Sequence, residues 1–184
     1  MRAPKSTRTC WASCQSWQNG GFWLKFRDDG TLLLSADGLA ELMKAVLDRG
    51  GLFRFCARGA SMTPFIRDGD TLTIEALEGR APRVGEVVAF SVTSGERPSL
   101  GVHRVVECFG SEFVIRGDAF GSVPETIPRG NILGRVVKVE RGSSRRRLGL
   151  GPERRLIVRL IRSGLLWGLV WPVWNGFRRL IRRA

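Results

Sequence analysis

Two side chains of this sequence have the chemistry of a nucleophile and its base. Ser61 lies in the segment Arg-Gly-Ala-Ser-Met-Thr-Pro at residues 58–64, and His103 is the single histidine of the chain. A serine on a tight bend between small residues can present its hydroxyl and the adjacent backbone N–H groups to a substrate carbonyl. The residue types therefore predict nucleophilic acyl chemistry, although a turn serine and a structural histidine would also explain them.

A series of short motifs accompanies these two residues. In chain order they are Ser-Met-x-Pro at 61–64, Arg-Asp-Gly-Asp at 67–70, Val-Gly-Glu-Val-Val at 84–88, His-Arg-Val-Val at 103–106 and Arg-Gly-Asp-Ala at 116–119. Each motif alone is weakly specific, but their order is much more so. Over roughly residues 52–140 the sequence resembles the signal peptidase I family, in particular its serine–histidine branch of archaea and the endoplasmic reticulum.

The base is a histidine in that branch, whereas bacterial signal peptidases and LexA-type repressors use a lysine. The lysines of this chain are Lys5, Lys25, Lys44 and Lys138, and none lies where the base is expected. An imidazole has an ordinary pKa of about 6.5 and is therefore neutral near pH 7. We expect His103 to accept the proton of the serine hydroxyl.

The resemblance implies a serine endopeptidase that cleaves after small residues in an extended substrate. It implies a LexA/signal-peptidase-like coiled antiparallel β-fold and catalysis without a metal or an organic cofactor. Asp118 matches the Gly-Asp box of the family and would orient the imidazole of His103. Glu125 is the alternative, because in the serine–histidine branch the orienting acid commonly lies a few residues beyond that box. Asp68 and Asp70 have the pattern of turn residues.

Periodicity predicts the elements that must position these residues. Apolar residues at helical spacing predict one amphipathic helix at residues 36–49, followed by the stop signal Gly50-Gly51. Short β-like segments separated by Gly, Pro, Asp and Ser follow, and they predict a mainly β domain. These segments cover residues 52–58, 71–76, 86–92, 101–107, 112–116 and 132–140.

Three regions result from this pattern. Residues 1–34 form an irregular extension, residues 35–140 form the peptidase domain with its β-core at 52–140, and residues 141–184 form a basic, tryptophan-rich tail. The tail holds 12 of the 30 basic residues but only 1 of the 17 acidic residues, so it accounts for most of the net charge of +13. Such asymmetry predicts that the tail contacts an anionic surface.

The composition of the tail favours a membrane over nucleic acid. Its uncharged run at residues 164–177 is shorter than the roughly 20 residues of a spanning helix, so it should lie at the interface. Tryptophans at such spacing are typical of protein segments that lie in the lipid headgroup region, and a DNA-binding arm does not need them. We therefore expect a peripheral or monotopic membrane protein. The residues predicted to contact lipid are Trp167, Trp171, Trp174, Arg178 and Arg179.

The remaining features exclude some classes and leave others open. Cys10, Cys14, Cys56 and Cys108 lack the spacing of a zinc site, and the last two lie in apolar runs that predict buried thiols. The first 30 residues contain no continuous apolar stretch of the kind found in a secretory signal. Two alternatives remain: an inactive membrane-docked β-module, and a LexA-like self-cleaving regulator, for which the N-terminal region offers only one convincing helix.

Overall fold

The computed structural model describes residues 24–26, 32–34, 36–94, 97–142, 144–146 and 149–163. These ranges contain ten strands, two α-helices and one 3₁₀ turn at Arg129–Asn131. In chain order the elements are β1 (Leu24–Phe26), β2 (Leu32–Leu34), α1 (Ala36–Asp48), β3 (Phe53–Cys56), β4 (Thr71–Glu75), β5 (Val87–Ser94), β6 (Arg97–Phe109), β7 (Glu112–Arg116), β8 (Glu125–Pro128), β9 (Ile132–Arg141), β10 (Ser144–Arg146) and α2 (Arg154–Arg162).

Eight of the strands form one curled antiparallel sheet. Its order is β3-β4-β9-β5-β6-β7-β8, and β10 pairs with β9 beside this path. The register shifts in three ladders, between Thr73 and Ile74, between Ala89 and Phe90, and across Val105–Glu107. Such bulges bend a strand and increase its twist, which curls the sheet. The prediction of a mainly β domain is confirmed.

Helix α1 covers part of this sheet, as its apolar stripe predicts. Met43 and Leu47 are buried against residues of β3, β4, β5 and β9, while Leu42 on the outer side is exposed. The helix ends where the backbone N–H of Gly51 donates to the carbonyl of Val46 at 3.0 Å. The prediction of a helix at residues 36–49 is confirmed.

Strand β5 lies between two hydrophobic clusters and is buried on both faces. Val87 and Ala89 belong to the cluster under α1, and Val88 and Phe90 belong to a second cluster with residues of β6, β7 and β8. A continuous apolar run is what a strand with two covered faces requires. This double burial fixes the strand that pairs with β6, the strand of His103.

Four short strands lie where the sequence predicted none. β1 and β2 pair with each other inside the extension predicted to be irregular, β8 lies between the predicted segments 112–116 and 132–140, and β10 lies at the start of the predicted tail. All three residues of β10 are exposed. The side chains of such a strand carry no apolar alternation, so only its backbone pairing with β9 reveals it.

The packed domain also extends further along the chain than the boundary at residue 140. Helix α2 agrees with the helical pattern predicted there, but it buries Ile157, Val158 and Ile161 instead of standing apart. Leu150 packs against the cluster under α1. Residues up to 163 therefore belong to the same folded unit as the sheet.

In the described ranges no helix has the length and apolar character needed to cross a membrane. The three tryptophans and two arginines predicted to contact lipid, at positions 167, 171, 174, 178 and 179, lie outside the described residues.

Candidate active site

Ser61 lies in a compact turn that joins β3 to β4. Within this turn the N–H of Thr63 donates to the carbonyl of Ala60 at 3.1 Å, and the N–H of Ile66 donates to that of Met62 at 3.0 Å. Gly59 has φ 93°, a left-handed conformation that favours glycine and that begins the turn. Met62 is buried and anchors the turn in the core, while Ser61 is exposed.

The two aspartates that follow the turn have structural partners. The N–H of Gly59 donates to Asp68 Oδ1 at 2.9 Å. Asp70 is buried, and Arg141 donates to both of its carboxylate oxygens at 2.7 Å. The N–H of Arg67 donates to Asp70 Oδ2 at 2.8 Å. Both residues hold the chain around the turn, which agrees with their interpretation as turn residues.

His103 lies in β6 opposite Val88 of β5, and it is half-buried. The centroid of its ring is 5.3 Å from that of Phe90. Burial lowers the pKa of the imidazole below its ordinary value, although the charges of Glu125 and Asp118 act in the opposite direction. Because the pKa is lowered, the ring is neutral near pH 7 and able to accept a proton.

Ser61 and His103 line the same cleft, whose volume is about 330 Å³. That volume is at the lower end of the range for ligand-binding clefts. The cleft extends between the edge strand β3 and strand β6 and is closed at one side by Leu39 of α1. Its other apolar walls are Phe55, Met62, Ile66, Leu72, Leu100 and Val102. The residues predicted to be the nucleophile and the base therefore line the same cleft.

The predicted third member has a different partner. Asp118 is buried, and both of its oxygens accept hydrogen bonds from Arg104, at 2.8 Å from Nε and at 2.7 Å from Nη2. His103 Nδ1 is buried without a hydrogen-bond partner among the described residues. Asp118 therefore does not make the contact expected of an orienting acid, because it is paired with Arg104 and no hydrogen bond joins it to His103 Nδ1.

Glu125, the alternative acid, does not make that contact either. It is exposed at the start of β8, and its charge raises the pKa of His103 more than that of Asp118 does. It acts on the imidazole through its field and not through a hydrogen bond. In the described residues neither predicted acid is hydrogen-bonded to His103 Nδ1.

Arg104 is the residue of this site that the sequence motifs did not single out. Its side chain is completely buried, and Nη1 donates to the carbonyl of Gly85 at 2.8 Å and to that of Gly149 at 2.7 Å. A buried guanidinium is tolerated only when a carboxylate and further acceptors satisfy it. The sequence signal that could have revealed Arg104 is an arginine inside the apolar segment His-Arg-Val-Val. Because side chains alternate between the two faces of a strand, Arg104 lies on the face opposite to His103.

The loop that carries Asp118 packs directly on the nucleophile turn. The N–H of Ala119 donates to the carbonyl of Ser61 at 2.8 Å. A Cβ atom on Gly117 would lie 2.5 Å from the same carbonyl oxygen and 2.6 Å from Ser122 Oγ, so there is no room for a side chain. The ion pair of Arg104 and Asp118 thus holds the loop against the turn.

The thiols lie apart from this arrangement. Cys56 is half-buried at the wall of the cleft, whereas Cys108 is exposed, which corrects the expectation of a buried thiol. Cys108 is exposed because it lies near the end of β6, beyond the part of the strand that is covered on both faces. Across the described ranges no group of three or more metal-ligating side chains occurs.

Comparison of the chain with models of known protein families and with curated proteins finds no match. In the described part of the chain the backbone N–H groups of Ser61 and Met62 donate no hydrogen bond to the backbone. Both residues line the cleft.

Proposed function

We propose that this protein is a serine endopeptidase of the signal-peptidase type on a LexA/signal-peptidase-like fold. Ser61 is the nucleophile and His103 is the general base. The observation that supports the proposal is that these two residues, more than forty positions apart, line one cleft. The order of the surrounding motifs and the curled antiparallel sheet agree with it.

The mechanism uses groups of this chain alone. Ser61 Oγ attacks the scissile carbonyl while His103 takes its proton, and the backbone N–H groups of Ser61 and Met62 stabilise the oxyanion. His103 then protonates the leaving amine. Water, deprotonated by the same imidazole, hydrolyses the acyl-enzyme and restores Ser61.

Asp118 has a positioning role in this proposal. Its carboxylate is committed to Arg104, and the next residue, Ala119, donates to the carbonyl of Ser61. A serine–histidine dyad needs its two members at hydrogen-bond distance, and this scaffold supports the serine side of the pair. Glu125 adjusts the basicity of His103 through its charge.

The substrate is an extended polypeptide that binds along the cleft. The edge strand β3 offers backbone groups for strand pairing, and the apolar walls offer contacts for alternate side chains. The resemblance to signal peptidases implies small side chains before the cleaved bond.

An anionic membrane surface is the second partner in this proposal. The outer side of α2 exposes Arg155 and Arg159, and the rest of the basic tail, residues 164–184, follows this helix in the sequence. Guanidinium groups bind lipid phosphates, and the tryptophans of the tail suit the headgroup region. The protein would then be a peripheral or monotopic membrane protein that brings its cleft to substrates at the surface.

The deciding experiment compares wild type, Ser61→Ala and Ser122→Ala in cleavage of an extended peptide with small residues before the cut. Ser122 is a half-buried serine in the same site, so Ser122→Ala is a matched control. We expect cleavage by wild type and by the control only, and labelling of Ser61 by a serine-reactive phosphonate. A folded wild-type protein that neither cleaves peptides nor takes the label would indicate an inactive membrane-docked module. Cleavage of its own chain alone would indicate a self-cleaving regulator.

A further inference from the structure

The C-terminal helix α2 packs on the turn that carries Ser61. Ile157 and Ile161 are buried in a small cluster whose other members are Phe65 and Leu160. Phe65 lies four residues after Ser61, in the same turn. The helix that begins the basic tail therefore contacts the nucleophile turn itself.

The ring of Phe65 also packs against the guanidinium group of Arg104. The guanidinium carbon of Arg104 is 5.6 Å from the centroid of the Phe65 ring, within the range of a cation–π contact. Gly149 lies against the other part of this ring: its φ is 95°, and a Cβ atom there would lie 3.1 Å from Phe65. The carbonyl of Gly149 accepts from Arg104 Nη1. Residues before α2 thus support Arg104 directly.

Both ends of α2 are fixed to the domain. Glu153 Oε1 accepts hydrogen bonds from the N–H groups of Gly149 and Gly151, at 2.7 and 3.0 Å, and so shapes the bend that precedes the helix. At the other end Arg162 forms an ion pair with Glu107. Glu107 belongs to β6, the strand of His103 and Arg104.

We propose that residues 149–163 are a positioning element of the catalytic pair, acting through Phe65 and Arg104. The segment supports Arg104, which holds Asp118, and the loop after Asp118 holds the carbonyl of Ser61. The inference deepens the proposed function and depends on it for its catalytic meaning. It assigns to the start of the C-terminal region a role in the geometry of the site, in addition to any role at a membrane.

The test compares Ile157→Ala with Leu156→Ala in the full chain. Ile157 is 5% exposed and touches the Phe65 cluster, whereas Leu156 is 58% exposed on the same helix. We expect Ile157→Ala to lower kcat by about 10- to 100-fold, because a small misplacement of catalytic groups has effects of that size. KM should change little, since the cleft walls are untouched. Leu156→Ala should leave both parameters at wild-type values.

A second readout does not require activity. His103 is the only histidine, so its ring resonances in an NMR spectrum report the site without ambiguity. We expect Ile157→Ala to shift these resonances and to move the pKa of His103 toward its ordinary value as the packing loosens. Leu156→Ala should reproduce the wild-type titration. If Ile157→Ala does not fold, Phe65→Leu, which removes the ring under Arg104 but keeps an apolar side chain, serves in its place.

The two proposals fail in different ways. If the folded variants have lower stability but wild-type kcat and wild-type His103 resonances, the segment is only structural and the inference is overturned. If no form of the protein cleaves peptides, the proposed function fails. In that case a shift of the His103 resonances in Ile157→Ala, with none in Leu156→Ala, still supports the positioning of the site by α2.

Discussion

The carbonyl oxygen of Ser61 accepts a hydrogen bond from the N–H of Ala119 at 2.8 Å. This contact joins two segments that are far apart in sequence, the turn after β3 and the loop after β7. Because Asp118 in that loop is held by Arg104, the position of the serine depends on a buried ion pair.

We predict that Ser61→Ala removes peptide cleavage and leaves the free energy of unfolding within about 0.5 kcal/mol of wild type, because the side chain is exposed. Cleavage assays and urea denaturation measure the two quantities. Substantial cleavage by the folded variant would contradict the assignment of the nucleophile.

The rate of cleavage should fall on acidification, with a midpoint below the ordinary imidazole pKa of about 6.5. The reason is that burial lowers the pKa of His103, so the neutral base persists to lower pH. A profile of kcat/KM against pH measures this midpoint. A rate that rises only above about pH 9 would point to another base.

The lowered pKa of His103 also predicts an effect on the stability of the folded chain. Since the pKa of His103 is lower in the folded than in the unfolded chain, the unfolded chain binds the proton first as the pH falls. The titration of His103 therefore leaves the free energy of unfolding unchanged above about pH 6.5. It lowers that free energy as the pH falls from the pKa of the unfolded chain to the pKa of the folded chain. His103→Gln should remove that part of the pH dependence, which denaturation at several pH values can measure.

Asp118→Asn and Glu125→Gln should differ mainly in stability. Removing the charge of Asp118 leaves Arg104 buried without its carboxylate, and breaking such a pair costs about 3–5 kcal/mol. Glu125 is exposed, so Glu125→Gln should fold normally, lower the pKa of His103 further and change kcat only mildly. If Asp118→Asn keeps full stability but loses about 10⁴ in kcat, Asp118 is the orienting acid after all.

Gly101→Ala should impair catalysis through the ring beside His103. A Cβ atom at position 101 would collide with the ring of Phe90, which in turn contacts the imidazole. Displacement of that ring should lower kcat by about tenfold or more. Gly130→Ala is the matched control, because nothing lies within 4 Å of a Cβ atom there. Equal kcat values for the two variants would contradict the prediction.

Two truncations should separate membrane binding from catalysis. Truncation after Ser163 removes the tryptophan-rich tail but keeps α2, so it should abolish flotation with anionic vesicles and spare cleavage of a soluble peptide. Truncation after Gly142 also removes α2 and the carbonyl of Gly149 that Arg104 needs, so it should lose cleavage as well.

Salt supplies a control for the membrane part of that prediction. Each arginine near an anionic surface contributes about 1 kcal/mol, so binding of the full chain should weaken with ionic strength. Equal binding to neutral vesicles would mean that charge does not drive the association.

Much of the fold was predictable because its elements carry clear periodicity. Helix α1 and six strands of the main sheet follow from the spacing of apolar residues, and so does the double burial of β5. The strands β8 and β10 are short and largely exposed, so their formation depends on pairing with β7 and β9. Such pairing is a property of the backbone and leaves little trace in composition.

The same distinction holds for the site. The types and order of Ser61 and His103 predicted that they act together, and they do line one cleft. The partner of Asp118 was not predictable from its motif, because two candidates, His103 and Arg104, are adjacent in β6. Only the direction of side chains on opposite faces of the strand decides between them, and that direction follows from tertiary packing.

Strand β6 carries His103 and Arg104 at consecutive positions, with the imidazole packed beside Phe90 and the guanidinium in the buried ion pair with Asp118. A slip of its pairing with β5 by one residue would exchange the two faces, so both side chains would lose their packing partners. A chain with this error would lose the position of His103 and the ion pair of Arg104 with Asp118 at once. Under the proposed function, only molecules with the correct register of β5 and β6 would cleave a peptide, so cleavage itself would report correct pairing of these strands.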